Sequence, residues 1–200
     1  MHRFDLSSIP ATPWKNGGGT TREIVCWPPG ASLDRFEWRV SVATIGAAGS
    51  FSIFPGVQRQ IMLLDGDGVR LRSPDGAINH VLDQRWQPFS FPGDIALDCT
   101  PLGGLSTDFN LMRRGTRWRG GLQVMHGACV PGSTPAGLCM VLAGHWRHAG
   151  ETLKPGQGLW WCAPDPSHLQ LTPDAGSASA LAWVGLTEFL KKNSTIHCQI

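Results

Sequence analysis

Tyrosine is absent from this 200-residue chain, and charge is scarce: Asp, Glu, Lys and Arg make up 16% of it. The net charge of +2 offers no basic surface to a polyanion. No Lys/Arg run or DNA-reading helix pair is present, so nucleic acid is not an expected partner. No apolar run approaches the ~18 residues of a membrane span, and Met1 to Pro10 lacks the apolar core of a signal peptide. These absences lead to the expectation of a cytoplasmic protein with no membrane contact. The six cysteines, Cys26, Cys99, Cys129, Cys139, Cys162 and Cys198, contain no C-x-x-C pair and no zinc-ligand spacing. Free thiols, several of them buried, are expected. Helical periodicity is missing as well; Thr187 to Lys192 is the one stretch that reads as a helical turn or two.

What remains is a hydrophobic fraction of 42%, with 25 Gly, 15 Pro and nine Trp. That mixture favours many short strands and tight turns around a substantial core. Strand signals recur from Arg22 to Trp27 and from Phe36 to Ile45. In the second stretch Phe36, Trp38, Val40 and Val42 share one face, and Glu37, Arg39, Ser41 and Ala43 the other. Arg39 and Ser41 then either line a cavity or face solvent. Ile61–Leu64 and Val69–Leu71 read as a hairpin closed by Asp65-Gly66-Asp67-Gly68. A second hairpin around Ser73-Pro74-Asp75-Gly76 leads into Asn79–Leu82. Further strands fit Trp86–Phe91, Ile95–Cys99, Ser106–Met112, Leu138–Leu142, His145–His148, Gly158–Cys162, His168–Leu171 and Ala180–Val184.

The two halves resemble each other. Met62-Leu63-Leu64-Asp65-Gly66 matches Met140-Val141-Leu142-Ala143-Gly144. Pro92-Gly93-Asp94 and its following strand match Pro155-Gly156-Gln157 and its own. This order resembles a duplicated cupin, a small double-sheet jelly roll. The expected fold is all-β, a bicupin, with one cupin-like lobe over 1–114 and a second over 115–200.

Metal-dependent cupins carry a His-x-His and a carboxylate on one barrel strand. The corresponding stretch here, Phe54-Pro55-Gly56-Val57-Gln58-Arg59-Gln60-Ile61, has neither. His145 and His148 fall on opposite faces of a strand, and His80, His126 and His168 are isolated. No metal and no cofactor are expected. Phosphate-loop, dinucleotide and nucleophile-elbow patterns are also absent.

The richest segment is Pro13-Trp14-Lys15-Asn16-Gly17-Gly18-Gly19-Thr20-Thr21-Arg22-Glu23. It is either a binding loop, with Trp14, Asn16, Thr21, Arg22 and Glu23 contacting a ligand, or a turn feeding the first strand. Phe54 supplies an apolar platform near Arg59, whose planar fork suits a carboxylate. The plainer reading pairs Arg59 with Asp65, Asp108 or another carboxylate. Asp108 and Asn110 share one strand face, with Phe109 and Leu111 opposite. Arg39, Ser41, Phe54, Arg59, Asp108 and Asn110 complete the candidate ligand-binding set, and the matching partner is a small carboxylate.

The triple-glycine segment, Trp38-Arg39-Val40-Ser41-Val42-Ala43 leading to Phe51-Ser52-Ile53-Phe54-Pro55-Gly56, and Asp108-Phe109-Asn110-Leu111-Met112 together resemble the HutD/Ves family of small bacterial proteins. The resemblance implies a cytoplasmic bicupin linked to histidine utilisation. It also implies a governor of that pathway that binds an intermediate such as N-formylglutamate or urocanate, with no established catalytic activity. Val57-Gln58 stands before Arg59 where more polar residues are expected in the family, a departure that would alter the pocket mouth. Two other classes stay open. One is an isomerase or hydrolase with Glu23 or Asp108 as base. The other is an interaction module docking through Trp160 and Trp161, although neighbouring strand residues face opposite ways. Hydrophobic strand edges are also compatible with a homodimer.

Overall fold

The computed structural model describes residues 1–130, 134–162, 170–175 and 178–189. The first half runs through β1 (His2–Asp5), a 3-10 turn at Leu6–Ser8, β2 (Thr12–Pro13), β3 (Gly19–Trp27), β4 (Trp38–Ile45), β5 (Gly49–Phe51) and β6 (Val57–Asp65). It continues with β7 (Val69–Arg72), β8 (Asn79–Leu82), β9 (Phe89–Pro92), β10 (Leu97–Pro101) and β11 (Ser106–Arg114). The second half holds β12 (Trp118–Met125), β13 (Ala136–Ala143), β14 (Trp146–His148), β15 (Glu151–Leu153), β16 (Gln157–Cys162), β17 (Thr172–Pro173) and β18 (Ala180–Glu188).

Among the described residues the strands form four antiparallel sheets. A six-stranded sheet has the order β2-β3-β4-β11-β6-β9, and a four-stranded sheet the order β5-β10-β7-β8. In the second half a five-stranded sheet runs β1-β16-β13-β18-β12 beside a small β15-β14-β17 sheet. The sequence boundary at 114/115 is therefore crossed by β1, which pairs with β16 through His2↔Trp160 and Asp5↔Gln157. Asp5 caps the 3-10 turn and also accepts from Gln157 Nε2 at 3.0 Å.

Alternation along β4, β6 and β11 gives the six-stranded sheet two different faces. One face carries Trp38, Val40, Val42, Met62, Phe109 and Leu111. These pack against Trp118, Leu122, Leu138, Met140, Ala182 and Val184 of the five-stranded sheet in one buried cluster. Burying each such side chain contributes roughly 1.5–3 kcal/mol, so this layer joins the two halves. The opposite face of the six-stranded sheet meets the four-stranded sheet around Ile61, Leu63, Leu71, Phe91 and Leu97. A further core in the second half gathers Trp146, Trp161, Leu171 and Trp183.

Several expectations need correction. β6 and β7 do not form a hairpin: β6 pairs with β11 and β9, while β7 pairs with β10 and β8. The Asp65–Gly68 turn instead carries the chain from one sheet to the other, with Gly66 and Gly68 at φ +95° and +91°. The hairpin at Ser73–Gly76 does form, with Val69↔Leu82 and Arg72↔Asn79 in register. β12 carries no clear alternation and was not expected as a strand. Thr187 and Glu188 end β18 and are not a helical turn; Lys191 and Lys192 lie outside the described residues, as do His168 and Cys198. Trp161 is buried, and half-buried Trp160 stacks on His2 with ring centroids 4.1 Å apart. The Pro-Gly repeats also differ in use, since β10 pairs with β5 and β7 whereas β16 pairs with β13 and β1.

Candidate functional site

A cavity of about 630 Å³ opens on the face of the six-stranded sheet turned away from the interlayer core. Three neighbouring strands build its wall, and their register fixes what stands where. On β11, Met112 lies between Arg39 of β4 and Arg59 of β6; Asn110 lies between Ser41 and Ile61; Asp108 lies between Ala43 and Leu63. The wall is therefore cationic at one end and acidic at the other. Met112 and Asp108 are about 14 Å apart along the strand, from the rise per residue.

Arg59 is only 6% exposed. Its guanidinium carbon lies 4.9 Å from the Phe51 ring centroid, 5.0 Å from Phe91 and 5.8 Å from Phe54. Such stacking is favourable for a cation, but it supplies no anion. Nη1 donates to the Ser52 carbonyl at 3.4 Å, and Nε has no hydrogen-bond partner among the described residues. Burial, with the charge of Arg39 added, lowers its pKa to about 10, so it stays a cation at neutral pH. Asp65, a partner considered from sequence, pairs with Arg85 at 3.0 Å.

Arg39 is the second cation. Its Nε donates to Glu23 Oε2 at 2.6 Å, and its Nη1 reaches Ser41 Oγ at 3.4 Å. At the other end Asp108 is 2% exposed, and neither carboxylate oxygen has a partner among the described residues. Burial raises its pKa to about 7. The neighbouring Cys99 thiol is pushed up to about 12 by burial and by Asp108. Asn110 Oδ1 is likewise buried and without a partner among the described residues.

The glycine-rich segment forms a hairpin turn between β2 and β3. Trp14 N–H donates to the Gly19 carbonyl at 2.9 Å, and Gly17 N–H to the Trp14 carbonyl at 3.0 Å, with Gly17 at φ +71°. A Cβ on Gly19 would collide with the Thr44 carbonyl oxygen and sit 3.1 Å from the Trp14 ring. The glycines thus admit protein against protein, and they set the Trp14 ring in the cavity wall. Trp14 Nε1 donates to Thr21 Oγ1 at 2.7 Å, and Asn16 Oδ1 accepts from Gly18 N–H at 3.1 Å.

Of the residues singled out from sequence, Trp14, Asn16, Thr21, Arg39, Ser41, Phe54, Arg59, Asp108 and Asn110 line the cavity. Arg22 and Glu23 are not among its lining residues. Arg22 stands opposite Val42, on the other face of the sheet, and donates to the Ile9 carbonyl. Glu23 stands opposite Ser41 but spends its carboxylate on Arg39. Val57 is buried with Phe36 and Met112, and Gln58 is exposed; neither is among the residues lining the cavity. Sequence reasoning missed Phe51, Ser52, Met112 and Lys15 as lining residues. Phe51 was findable from its place beside Phe54, while Met112 shares a strand face with Asp108 and Asn110. Among the described residues no group of three His, Cys, Asp or Glu side chains is placed to hold a metal ion.

The family model HutD matches residues 6–180, a span that takes in every strand of this wall. The chain belongs to the HutD family. Protein Ves of Cronobacter sakazakii is 41% identical over 163 residues, which cover 80% of this chain and 87% of that protein. The solved structure of HutD from Pseudomonas fluorescens SBW25 superposes with a TM-score of 0.79 at 30% identity, over 94% of this chain and 98% of that one. A cupin 2 conserved barrel domain protein from Leptotrichia buccalis superposes at TM-score 0.57 and 10% identity, over 93% of this chain and 96% of that one. That last likeness concerns fold alone: this HutD-family chain is an all-β protein of cupin-like architecture.

Proposed function

We propose that this HutD-family chain binds a small carboxylate, such as N-formylglutamate or urocanate, in the cavity of its first half, and that it regulates histidine utilisation through that binding. The observation that carries the reading is Arg59, a buried cation with no anionic partner among the described residues. A carboxylate entering the cavity supplies that partner, and each charge-assisted hydrogen bond contributes roughly 1.5–3 kcal/mol. In this reading the chain is a bicupin, with the working pocket in residues 1–114 and the second lobe in 115–200. N-formylglutamate would offer two carboxylates and an amide to Arg59, Arg39, Asn110 and Ser41.

Calorimetric titration of N-formylglutamate, glutamate and urocanate tests the reading, with Arg59→Ala alongside. The expected result is saturable binding by the parent chain and a loss of at least about tenfold, or 1.4 kcal/mol, in the variant. Unchanged binding by Arg59→Ala, or binding of none of the three, rejects it. A second reading is favoured by one observation: burial holds Asp108 at about 7, where a general acid or base works well. In that reading the cavity belongs to an isomerase or hydrolase acting on the same acidic ligand, and incubating the bound ligand until product is sought by NMR decides between them.

A further inference from the structure

Two buried groups of opposite charge share one wall of this cavity, and neither has an ionic partner among the described residues. Arg59 on β6 has an unpartnered Nε; Asp108 on β11 has two unpartnered oxygens, with the unpartnered Asn110 Oδ1 two residues away on the same face. Both Arg59 and Asp108 are more than nine-tenths buried. Their register keeps them apart, because Arg59 lies opposite Met112 and Asp108 opposite Leu63. A buried polar group without a partner is destabilising until something fills its valences. One end of the wall therefore lacks an acceptor, and the other lacks a donor.

We propose that the cavity selects an amphoteric ligand, with a carboxylate at one end for Arg59 and an ammonium or imidazole N–H at the other for Asp108 and Asn110. This rests on the carboxylate-binding reading above and narrows it, disfavouring N-formylglutamate, whose second carboxylate would approach Asp108. A dicarboxylate satisfies Arg59 but brings a second negative charge toward the acidic end. A monocarboxylate with an apolar tail leaves the acceptors at that end unmatched. Only a ligand with opposite polarity at its two ends completes both.

The groups around Asp108 leave it as the switch for this selectivity. Its strand neighbours, Ala43 and Leu63, carry no charge. Cys99, on the facing sheet, stays a thiol through the neutral range because burial and Asp108 itself hold its pKa at about 12. The cavity's cations are Lys15, Arg39 and Arg59, and Glu23 lies outside the lining, engaged with Arg39. Asp108 is the one carboxyl group among the described lining residues, and burial places its titration at about 7. Ionised, it attracts a cationic donor; protonated, it donates to an anion instead.

The test uses matched pairs on the full chain: β-alanine against malonate, γ-aminobutyrate against succinate, and 5-aminopentanoate against glutarate. Dissociation constants are measured at about pH 6 and about pH 8, one unit either side of the Asp108 titration. The best-fitting amino acid is expected to bind at least about tenfold tighter than its matched diacid at the higher pH. That ratio is expected to shrink at the lower pH and in Asp108→Asn, whose side chain keeps the shape but not the charge. Preference for the diacids at both pH values, or a ratio that does not move with pH, overturns the proposal and leaves carboxylate binding at Arg59 intact. Failure of every probe, or binding indifferent to Arg59→Ala, overturns both. The pH arm uses the unaltered chain, so a misfolded variant does not blunt the test.

Discussion

Arg59 and Asp108 stand on adjacent strands, on the same face and buried in the same wall, yet the register of β6 against β11 holds them out of contact. Buried charges in protein cores are usually paired, because an isolated one is costly. Here the hydrophobic layer behind the sheet, from Trp38 to Phe109, supplies the stability that lets both groups stand without an ionic partner among the described residues.

Replacing Arg59 by Met separates binding from folding. Methionine fills the space between Phe51, Phe54 and Phe91 without a buried charge, so the variant is expected to match the parent chain or exceed it by about 1–2 kcal/mol in stability. Carboxylate binding is expected to disappear. Urea denaturation and a ligand titration on the same sample check both halves of this prediction.

Asp108→Asn is expected to stabilise the fold, and more so at high pH. Burial raises the folded-state pKa from 3.8 to about 7, so the folded chain holds a proton that the unfolded chain has released. The parent's stability therefore falls as pH rises from about 4 to about 7, and is flat beyond. The variant's advantage is absent near pH 4 and reaches the order of a few kcal/mol above pH 7. Thermal melts across that range measure it; an advantage equal at all pH values contradicts the assigned cause.

Gly19→Ala and Gly17→Ala differ in what they damage. The first drives a methyl group into the Thr44 carbonyl and the Trp14 ring, and is expected to cost about 2–4 kcal/mol while displacing Trp14 from the cavity wall. The second meets open space and is strained only by its φ of +71°, so about 1 kcal/mol is expected, with binding intact. Tryptophan fluorescence and melting curves distinguish the two.

Glu23→Gln releases Arg39 from its salt bridge without removing a group that lines the cavity. Small carboxylates are expected to bind a few-fold tighter at low salt, and the gain to fade as added salt screens the freed charge. Unaltered affinity at low salt would show that Arg39 does not reach the ligand.

The wall of the site was largely readable because strand alternation is a local property. Once Trp38, Val40 and Val42 are assigned inward to a core, Arg39 and Ser41 must face the other way, and the same logic placed Asp108 and Asn110 opposite Phe109 and Leu111. Alternation also held the signal that excludes Arg22, since it follows Thr21 by one residue and so faces away; the glycine-rich motif drew attention to its composition instead. Glu23 has the right face, and only its contact with Arg39 removes it. Pairing partners were not readable. The Asp65-Gly66-Asp67-Gly68 turn has the residues of a hairpin, but β7 takes β8 through the next turn and β10 beyond it, while β6 pairs with β9 and β11 farther along the chain, and no local pattern encodes that choice.

The attachment of β1 to β16 has a consequence for how the chain can be cut. Residues 2–5 are the edge of a sheet otherwise made from 118–188, and the same peptide runs on within a few residues to β2 and the Trp14 turn. An N-terminal nick or a bulky fusion placed there would loosen the sheet built from the second half of the sequence, and would slacken the cavity wall around Trp14 in the same stroke.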